Sequence, residues 1–241
     1  MLTKLLSVGA AVVTAGSFLW TTACAAGREA AIRWFGHACF LITSPTGIRV
    51  LTDPFDATVG YPVPAVEADV VTVSHEHFDH NNVSAVRGKP AVLRGKGEYQ
   101  GDGIRIYPVA SFHDTEGGAK RGANSIFVME MGGIRLVHMG DLGHDLSRRQ
   151  LDAIGRIDVL LVPVGGTYTI DAAGARRLVE ETSPRAAIPM HYRTPVVGIP
   201  IAGVDEFLAG CNNVVRCDSN EVRFSEGSLP RDTTVYVMSY K

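Results

Sequence analysis

A cluster of histidines directly after a short apolar run constrains this chain more than any other feature. Residues 70–73 read Val-Val-Thr-Val, which favours a buried β-strand, and the next seven residues are Ser-His-Glu-His-Phe-Asp-His. In an extended segment, residues i and i+2 project to the same side, so His75 and His77 can bind one metal ion together. Asp79 and His80 come where the chain is expected to turn, and they therefore point towards a second ion.

Other candidate ligands follow other predicted strands. His113 comes after the run 104–109, Asp141 after the run 134–137, and His191 after the run 186–188. Because strand ends gather at one edge of a sheet in α/β folds, we expect these side chains to lie near the histidine cluster. Imidazole nitrogen and carboxylate oxygen suit Zn²⁺ or a similar divalent cation, and the chain has no Cys-x-x-Cys pair for a thiolate site.

Short β-branched runs recur along the chain and alternate with helical patterns in its second half. Strands are predicted at 32–35, 39–43, 48–52, 70–73, 104–109, 125–131, 134–137, 159–164 and 186–188, and helices at 146–154, 172–182 and 204–208. Gly132-Gly133 is typical of a two-residue hairpin turn. Since no linker or repeat interrupts the pattern, residues 27–241 are predicted to form one α/β domain.

The first 26 residues differ from the rest in composition. Lys4 is the one charged side chain among residues 1–26, and a run of apolar and small residues follows it to Ala-Cys-Ala at 23–25. This pattern is typical of a secretory signal peptide and predicts a periplasmic or secreted protein. Two alternatives stay open, namely an uncleaved membrane anchor and a lipid attached to Cys24.

The charge balance and the remaining cysteines bear on partners and compartment. Lys and Arg number 23 against 25 Asp and Glu, with no run of like charges, so the sequence predicts a small-molecule substrate and no nucleic-acid partner. Cys39 lies in an apolar run and is expected to be a small buried side chain. Cys211 and Cys217 could form a disulfide across a turn or stay free.

The order of the candidate ligands resembles a known signature. His-x-His-x-Asp-His at 75–80, followed by His113, Asp141 and His191, is similar to the metal-binding motifs of the metallo-β-lactamase superfamily. The resemblance runs from about residue 32 to about residue 220 and implies a metal-dependent hydrolase with a four-layer αββα sandwich, an α/β fold. The segments 34–38, 52–54, 164–169 and 190–193 resemble the compact branch that includes ascorbate-phosphate lactonase-like proteins.

The resemblance also implies how two divalent cations would be held, with Zn²⁺ expected and Mn²⁺ or Fe²⁺ as alternatives. The implied ligands are His75, His77 and His113 for the first ion, Asp79, His80 and His191 for the second, and Asp141 as a bridge. A hydroxide shared by the ions would cleave an ester, lactone or phosphoester, with Asp79 and Asp141 as catalytic carboxylates. Because two such ions outweigh two carboxylates and a hydroxide, we expect a small anionic substrate.

Four further side chains are candidates near this site. Tyr168 and Arg193 are predicted to contact the substrate, although both could be rim residues. Asp53 is predicted to accept the free N–H of a metal-binding histidine, unless it only forms an Asp-Pro turn. His37 is expected to approach the metals without binding them.

Several other functions are compatible with the same motifs. A β-lactamase and a thioesterase or persulfide dioxygenase-type enzyme share the fold, and a non-catalytic metal-binding protein is a further alternative. A di-iron oxidoreductase of this fold would typically have Glu where this chain has His77. Two histidines remain open. His138 could lie in the core or support a metal ligand, and His144 could lie at the rim of the site or in a solvated loop.

Overall fold

The structure is a computed structural model that describes residues 29–240, so the predicted signal peptide and Cys24 lie outside the described residues. The strands are β1 (Ala30–Gly36), β2 (Cys39–Thr43), β3 (Arg49–Thr52), β4 (Val70–Thr72), β5 (Ala91–Leu93), β6 (Tyr99–Gly101), β7 (Ile104–Phe112), β8 (Ala123–Met131), β9 (Ile134–His138), β10 (Val159–Pro163), β11 (Ala186–Met190), β12 (Val214–Arg216), β13 (Glu221–Phe224) and β14 (Thr234–Val237). The helices are α1 (Arg148–Ile154), α2 (Ala172–Thr182) and α3 (Asp205–Leu208), with 3₁₀ turns at Ala57–Val59 and Val83–Ala85.

The strands form two mixed sheets. The first has the order β13-β1-β2-β3-β4-β5, and the second has the order β12-β14-β11-β10-β9-β8-β7-β6. In the first sheet β3, β4 and β5 are parallel, while in the second sheet the five strands from β12 to β9 are parallel. Strand β2 is antiparallel to both β1 and β3, so β1 and β3 have the same direction. Strand β8 is antiparallel to both β7 and β9, so β7 and β9 also have the same direction. Within each sheet, the strands that precede candidate residues therefore run in one direction, namely β1, β3 and β4 in the first sheet and β7, β9 and β11 in the second.

Side-chain alternation divides the first sheet between two apolar clusters. Val50 and Val70 point into the main core, which also contains the buried residues of the second sheet, whereas Leu51 and Val71 point into a second cluster. Successive residues of a strand face opposite sides of a sheet, which explains this division. Loops and the two 3₁₀ turns, with Val59 and Val83, cover the second cluster. In the described residues this outer layer has no α-helix.

Helices α1 and α2 cover the second sheet because they connect its parallel strands. The strand order β9-β10-β11 moves in one direction, so right-handed crossovers place both helices on the same face. Ser147 and Gln150 form a reciprocal capping box at the start of α1, and Asp171 accepts the Gly174 N–H at the start of α2. Within residues 29–240 no helix is long and apolar enough to cross a membrane.

The predicted strands and helices are present, with shifted ends. The hairpin turn at Gly132-Gly133 is confirmed, and both glycines have positive φ angles, as a type I′ turn requires. Strands β5, β6 and β12–β14 were not predicted, because they are short or lack the alternation of apolar side chains that marks a half-buried strand. Cys211 and Cys217 are free thiols rather than a disulfide, and Cys39 is buried as expected.

Candidate metal centre

All candidate ligands lie at one edge of the two sheets. The first sheet contributes residues that follow β1, β3 and β4, and the second sheet contributes residues that follow β7, β9 and β11. Ser125 N donates to Ser74 O across the sheets at 2.9 Å, which ties the loop after β4 to β8. The topology therefore brings six separate segments of the chain to one place.

A first cluster consists of His75, His77 and His113, whose ligand atoms lie within 4.8 Å of one another. The ring centroids of His75 and His113 are 4.7 Å apart, and those of His77 and His113 are 5.1 Å apart. His75 and His113 are buried, while His77 is exposed. The extended geometry expected for His75 and His77 is wrong, since residues 74–77 form bends after β4, yet the two rings still lie 4.5 Å apart.

A second cluster consists of His37, Asp79, His80 and His191, again with ligand atoms within 4.8 Å. It contains the three residues predicted for the second ion and adds His37. His37 Nε2 lies 3.2 Å from Asp79 Oδ2, so the imidazole can donate a hydrogen bond to that carboxylate. The His37 and His191 rings are 4.0 Å apart.

The carboxylate of Asp141 lies between the two clusters. Its Oδ2 atom is 3.2 Å from His113 Nε2, 3.3 Å from His80 Nε2 and 3.1 Å from His191 Nε2. His75 Nε2 is somewhat farther, at 3.9 Å. The Asp141 backbone N–H donates to the buried Asn124 side chain at 3.0 Å, which fixes the turn after β9. All seven predicted ligands are thus brought together.

Asp53 contacts the second cluster through His80. Its Oδ2 lies 2.9 Å from His80 Nδ1 and accepts the Ser74 hydroxyl at 2.6 Å, while its Oδ1 accepts the Ser74 N–H at 2.7 Å. The contact between Asp53 and a candidate ligand is the one expected from the sequence. With its Nδ1 proton donated to Asp53, a neutral His80 would offer the Nε2 lone pair to a metal ion.

Three residues of the site have left-handed backbones that are unusual for side chains with a Cβ. The φ angles are +52° for His37, +39° for Asp53 and +51° for His191. Such a conformation costs about 1–2 kcal/mol per residue. His37 O accepts both the Trp34 indole N–H at 3.0 Å and the His191 N–H at 3.2 Å, which stabilises two of these conformations together.

Burial and charge set the protonation of the clustered groups. Burial lowers the pKa of His75 to about 3 and that of His37 to about 4, and neighbouring imidazoles add to both shifts. Burial also lowers the pKa of His80, but the carboxylates of Asp141 and Asp53 outweigh it and raise the pKa well above its usual value. Burial raises the pKa of Asp141, and the surrounding imidazoles outweigh it and lower the pKa well below its usual value.

Several potential metal-binding atoms of the clusters have no hydrogen-bond partner within residues 29–240. His75 Nε2, His80 Nε2 and Asp141 Oδ1 are buried and have no hydrogen-bond partner in the described part of the chain. Buried polar atoms are rarely left in this state, because an unsatisfied donor or acceptor costs about 1–3 kcal/mol. Imidazole and carboxylate are the ligands that Zn²⁺ and related cations bind.

A cavity of about 480 Å³ opens onto the clusters. Tyr168, whose contact with a substrate stays a prediction, lines it together with Phe78, Arg121 and Ile199. Arg193 does not line it, and its side chain is exposed. The substrate contact of Arg193 stays a prediction, and its backbone N–H pairs with Ala202 O.

The other two histidines lie outside every cluster. His138 is a buried core residue, since its Nε2 lies 2.9 Å from Ala38 O and its Nδ1 accepts the Gly140 N–H at 3.2 Å. His144 accepts the Phe112 N–H at 3.1 Å and supports the loop near His113. Arg121 was missed by sequence reasoning, although its position in a glycine-rich loop shortly after a candidate ligand was an available signal.

Comparisons with known proteins agree with this arrangement. Residues 31–191 match the model of the β-lactamase superfamily domain. The chain is 31% identical to a UPF0173 metal-dependent hydrolase of Thermoplasma acidophilum over 68% of this chain and 83% of that protein. It is also 31% identical to a UPF0173 metal-dependent hydrolase of Carboxydothermus hydrogenoformans over 73% of this chain and 89% of that protein.

A solved structure from Thermotoga maritima, described as a proposed zinc-dependent hydrolase of the metallo-β-lactamase superfamily, superimposes with a TM-score of 0.73. It is 41% identical, and the match covers 87% of this chain and 98% of that one. The predicted metallo-β-lactamase fold is confirmed, whereas the resemblance to the ascorbate-phosphate lactonase-like branch stays a prediction. The chain belongs to the metallo-β-lactamase superfamily and, within it, to the UPF0173 metal-dependent hydrolases.

Proposed function

We propose that this protein is a binuclear hydrolase that cleaves an ester, lactone or phosphoester bond in a small anionic molecule. The observation that carries the proposal is the pair of neighbouring clusters that share Asp141 Oδ2 and open onto one cavity. His75, His77 and His113 would hold one ion, and Asp79, His80 and His191 the other. Zn²⁺ is the ion we expect, with Mn²⁺ and Fe²⁺ as alternatives.

Two divalent cations in these clusters would supply Lewis-acid chemistry, by acidifying water and by polarising the carbonyl or phosphoryl oxygen of a substrate. The protein has its own part in the reaction. Asp79 lines the cavity, and its Oδ2 is within hydrogen-bond distance of His37 Nε2. Burial raises the pKa of Asp79, but His37 and His80 outweigh it and lower the pKa below its usual value.

We assign Asp79 to orienting the attacking water through a hydrogen bond, because its carboxylate lines the cavity next to the clusters. His37 positions Asp79, since its ring is buried and fixed by contact with the His191 ring. Asp53 positions His80 in the same manner.

Metal content tests the ligand assignment. Purified wild-type protein should contain about two ions per chain, and His77→Ala should lose about one of them, because a cluster of three imidazoles loses one third of its donors. Arg149→Ala, which changes an exposed side chain on α1, is the control. Two ions retained in His77→Ala would contradict the assignment.

Activity tests the reaction class. The loaded protein should hydrolyse members of a panel of lactones, phosphodiesters, thioesters and β-lactams assayed with Zn²⁺, Mn²⁺ and Fe²⁺ in turn. Cleavage of lactones would also favour the ascorbate-phosphate lactonase-like branch. Two bound ions without hydrolysis of any compound would favour a metal-binding protein instead. Because residues 1–26 resemble a secretory signal peptide, we also propose that the protein acts outside the cytoplasm. Cell fractionation would check this.

A further inference from the structure

Arg121 lies where a substrate would meet the metal centre. It lines the cavity together with His113, Asp141 and His191. It also lines an adjoining cavity of about 480 Å³, which shares His77 with the first. A group bound at this arginine would therefore lie beside the ligand clusters and between the two cavities.

The guanidinium of Arg121 is held in place without a carboxylate. Its Nη2 donates to Thr167 O at 3.1 Å, and its Cζ lies 5.5 Å from the centroid of the Tyr168 ring. Among residues 29–240 it makes no ion pair, in contrast to Arg94 of the adjoining cavity, whose Nη1 lies 2.7 Å from the Glu76 carboxylate. Since a guanidinium has five N–H donors, Arg121 retains several for a ligand.

The loop that carries Arg121 is fixed by one buried carboxylate. Asp114 Oδ1 accepts the N–H groups of Glu116 and Gly118 at 2.8 and 2.9 Å, and Oδ2 accepts those of Lys120 and Arg121 at 2.9 and 2.7 Å. The loop closes where His113 N donates to Gly122 O at 3.0 Å. Arg121 is thus placed relative to a candidate metal ligand by its own backbone.

An anionic substrate, as proposed above, needs a cationic group besides the metal centre. The count made from the sequence used Asp79 and Asp141 as the anionic ligands, but Asp53 adds a third buried carboxylate in contact with His80. Three carboxylates and one hydroxide would balance two divalent cations. The centre itself then has no excess positive charge to select an anion. Among residues 29–240, Arg121 is the one Lys or Arg side chain that lines the cavity, and it makes no ion pair there.

We infer that Arg121 binds an oxyanion of the substrate, a carboxylate or phosphate group distinct from the bond that is cleaved, and that Asp114 positions it. This inference rests on the proposed hydrolytic function. A planar guanidinium recognises both oxyanions through paired hydrogen bonds. Phe78, which is 54% exposed, and Ile199 form an apolar part of the same cavity, so the substrate also carries a nonpolar portion.

Binding to the metal-loaded protein tests the inference independently of catalysis. The probes are benzoate, phenylphosphonate and neutral benzamide, titrated by calorimetry into wild-type protein and into Arg121→Gln. We expect Arg121→Gln to raise the Kd of at least one anion about 10–100-fold and to leave benzamide within about twofold. A larger effect on benzoate would identify a carboxylate, and a larger effect on phenylphosphonate would identify a phosphate. Arg149→Gln, an exposed arginine on α1, is the matched control.

A double-mutant cycle tests the role of Asp114. Asp114→Asn should weaken anion binding with metal content unchanged, and adding it to Arg121→Gln should cause little further loss, because both act through one guanidinium. Fully additive losses would refute the positioning role. Unchanged anion Kd values in Arg121→Gln would overturn the inference even if the protein cleaves esters. Selective loss of anion binding without any hydrolysis would instead refute the proposed function alone.

Discussion

Gly165 provides a sharp test of how closely the loops after β10 and β11 must pack at the metal centre. This glycine follows β10, and a Cβ added to it would lie 2.2 Å from His191 O and 3.2 Å from Ile201 Cβ. Real Cβ atoms stay at least 3.0 Å from such neighbours, so Gly165→Ala must push the loop of His191 away by at least about 0.8 Å. The clash is with backbone, which cannot rotate out of the way as a long side chain can.

The displacement is large compared with what a metal site tolerates. Ligand distances in such sites hold to about 0.2 Å, so a shift four times larger should remove His191 from the second cluster. We expect Gly165→Ala to bind about one ion per chain instead of two, with the ion of His75, His77 and His113 retained. Overpacking of this kind should also lower the free energy of unfolding by about 1–3 kcal/mol.

The assay combines zinc stoichiometry with thermal unfolding of the loaded protein. Gly203→Ala is the matched control, because a Cβ at that glycine meets no atom within 4 Å and the residue lies in the same part of the chain. Two ions of unchanged affinity in Gly165→Ala would refute the reasoning. So would an equal loss of metal in Gly203→Ala.

Three further predictions concern the contact between Asp53 and His80, the stabilisation of the fold by bound metal, and the cap of α1. Asp53→Ala should weaken one metal site about 10–100-fold, as measured by chelator competition, because His80 Nδ1 loses its acceptor; unchanged affinity would contradict the contact. Chelation should lower the thermal midpoint, since ions that bind the native clusters stabilise the fold; a midpoint independent of chelator would count against a resident metal. Ser147→Ala should lower the free energy of unfolding by about 1 kcal/mol in denaturant melts, because α1 loses its capping box. Metal content should not change. A loss of metal would show that this helix end supports the site.

The arrangement of the metal ligands was largely predictable from the chain. Each predicted ligand follows a β-branched run, and strands that share a direction deliver their ends to one edge of a sheet. The prediction succeeded for His75 and His77 although residues 74–77 are bent, since the two side chains come together through the loop instead of through strand alternation. Residue type and order were sufficient there, because imidazole and carboxylate groups are suited to binding divalent cations.

The cavity wall was not predictable in the same way. Arg193 is adjacent in sequence to Tyr192 and His191, yet its side chain is exposed, whereas Arg121 reaches the cavity from a loop far along the chain. The position of Arg121 depends on four backbone N–H groups that converge on Asp114, and such convergence has no periodic signature in sequence.

The sequence by itself determined the chemistry of the centre, because histidine and aspartate side chains at the ends of apolar strands have few other uses at that density. Tertiary structure alone decided which groups surround it. The order of strands within each sheet, and the loops at its edge, placed Asp53 next to His80, His37 against Asp79 and Arg121 over Tyr168. Those contacts arise from left-handed backbones, close approach of glycines and closure of loops, which depend on distances between segments far apart in the chain and not on the local pattern of residues.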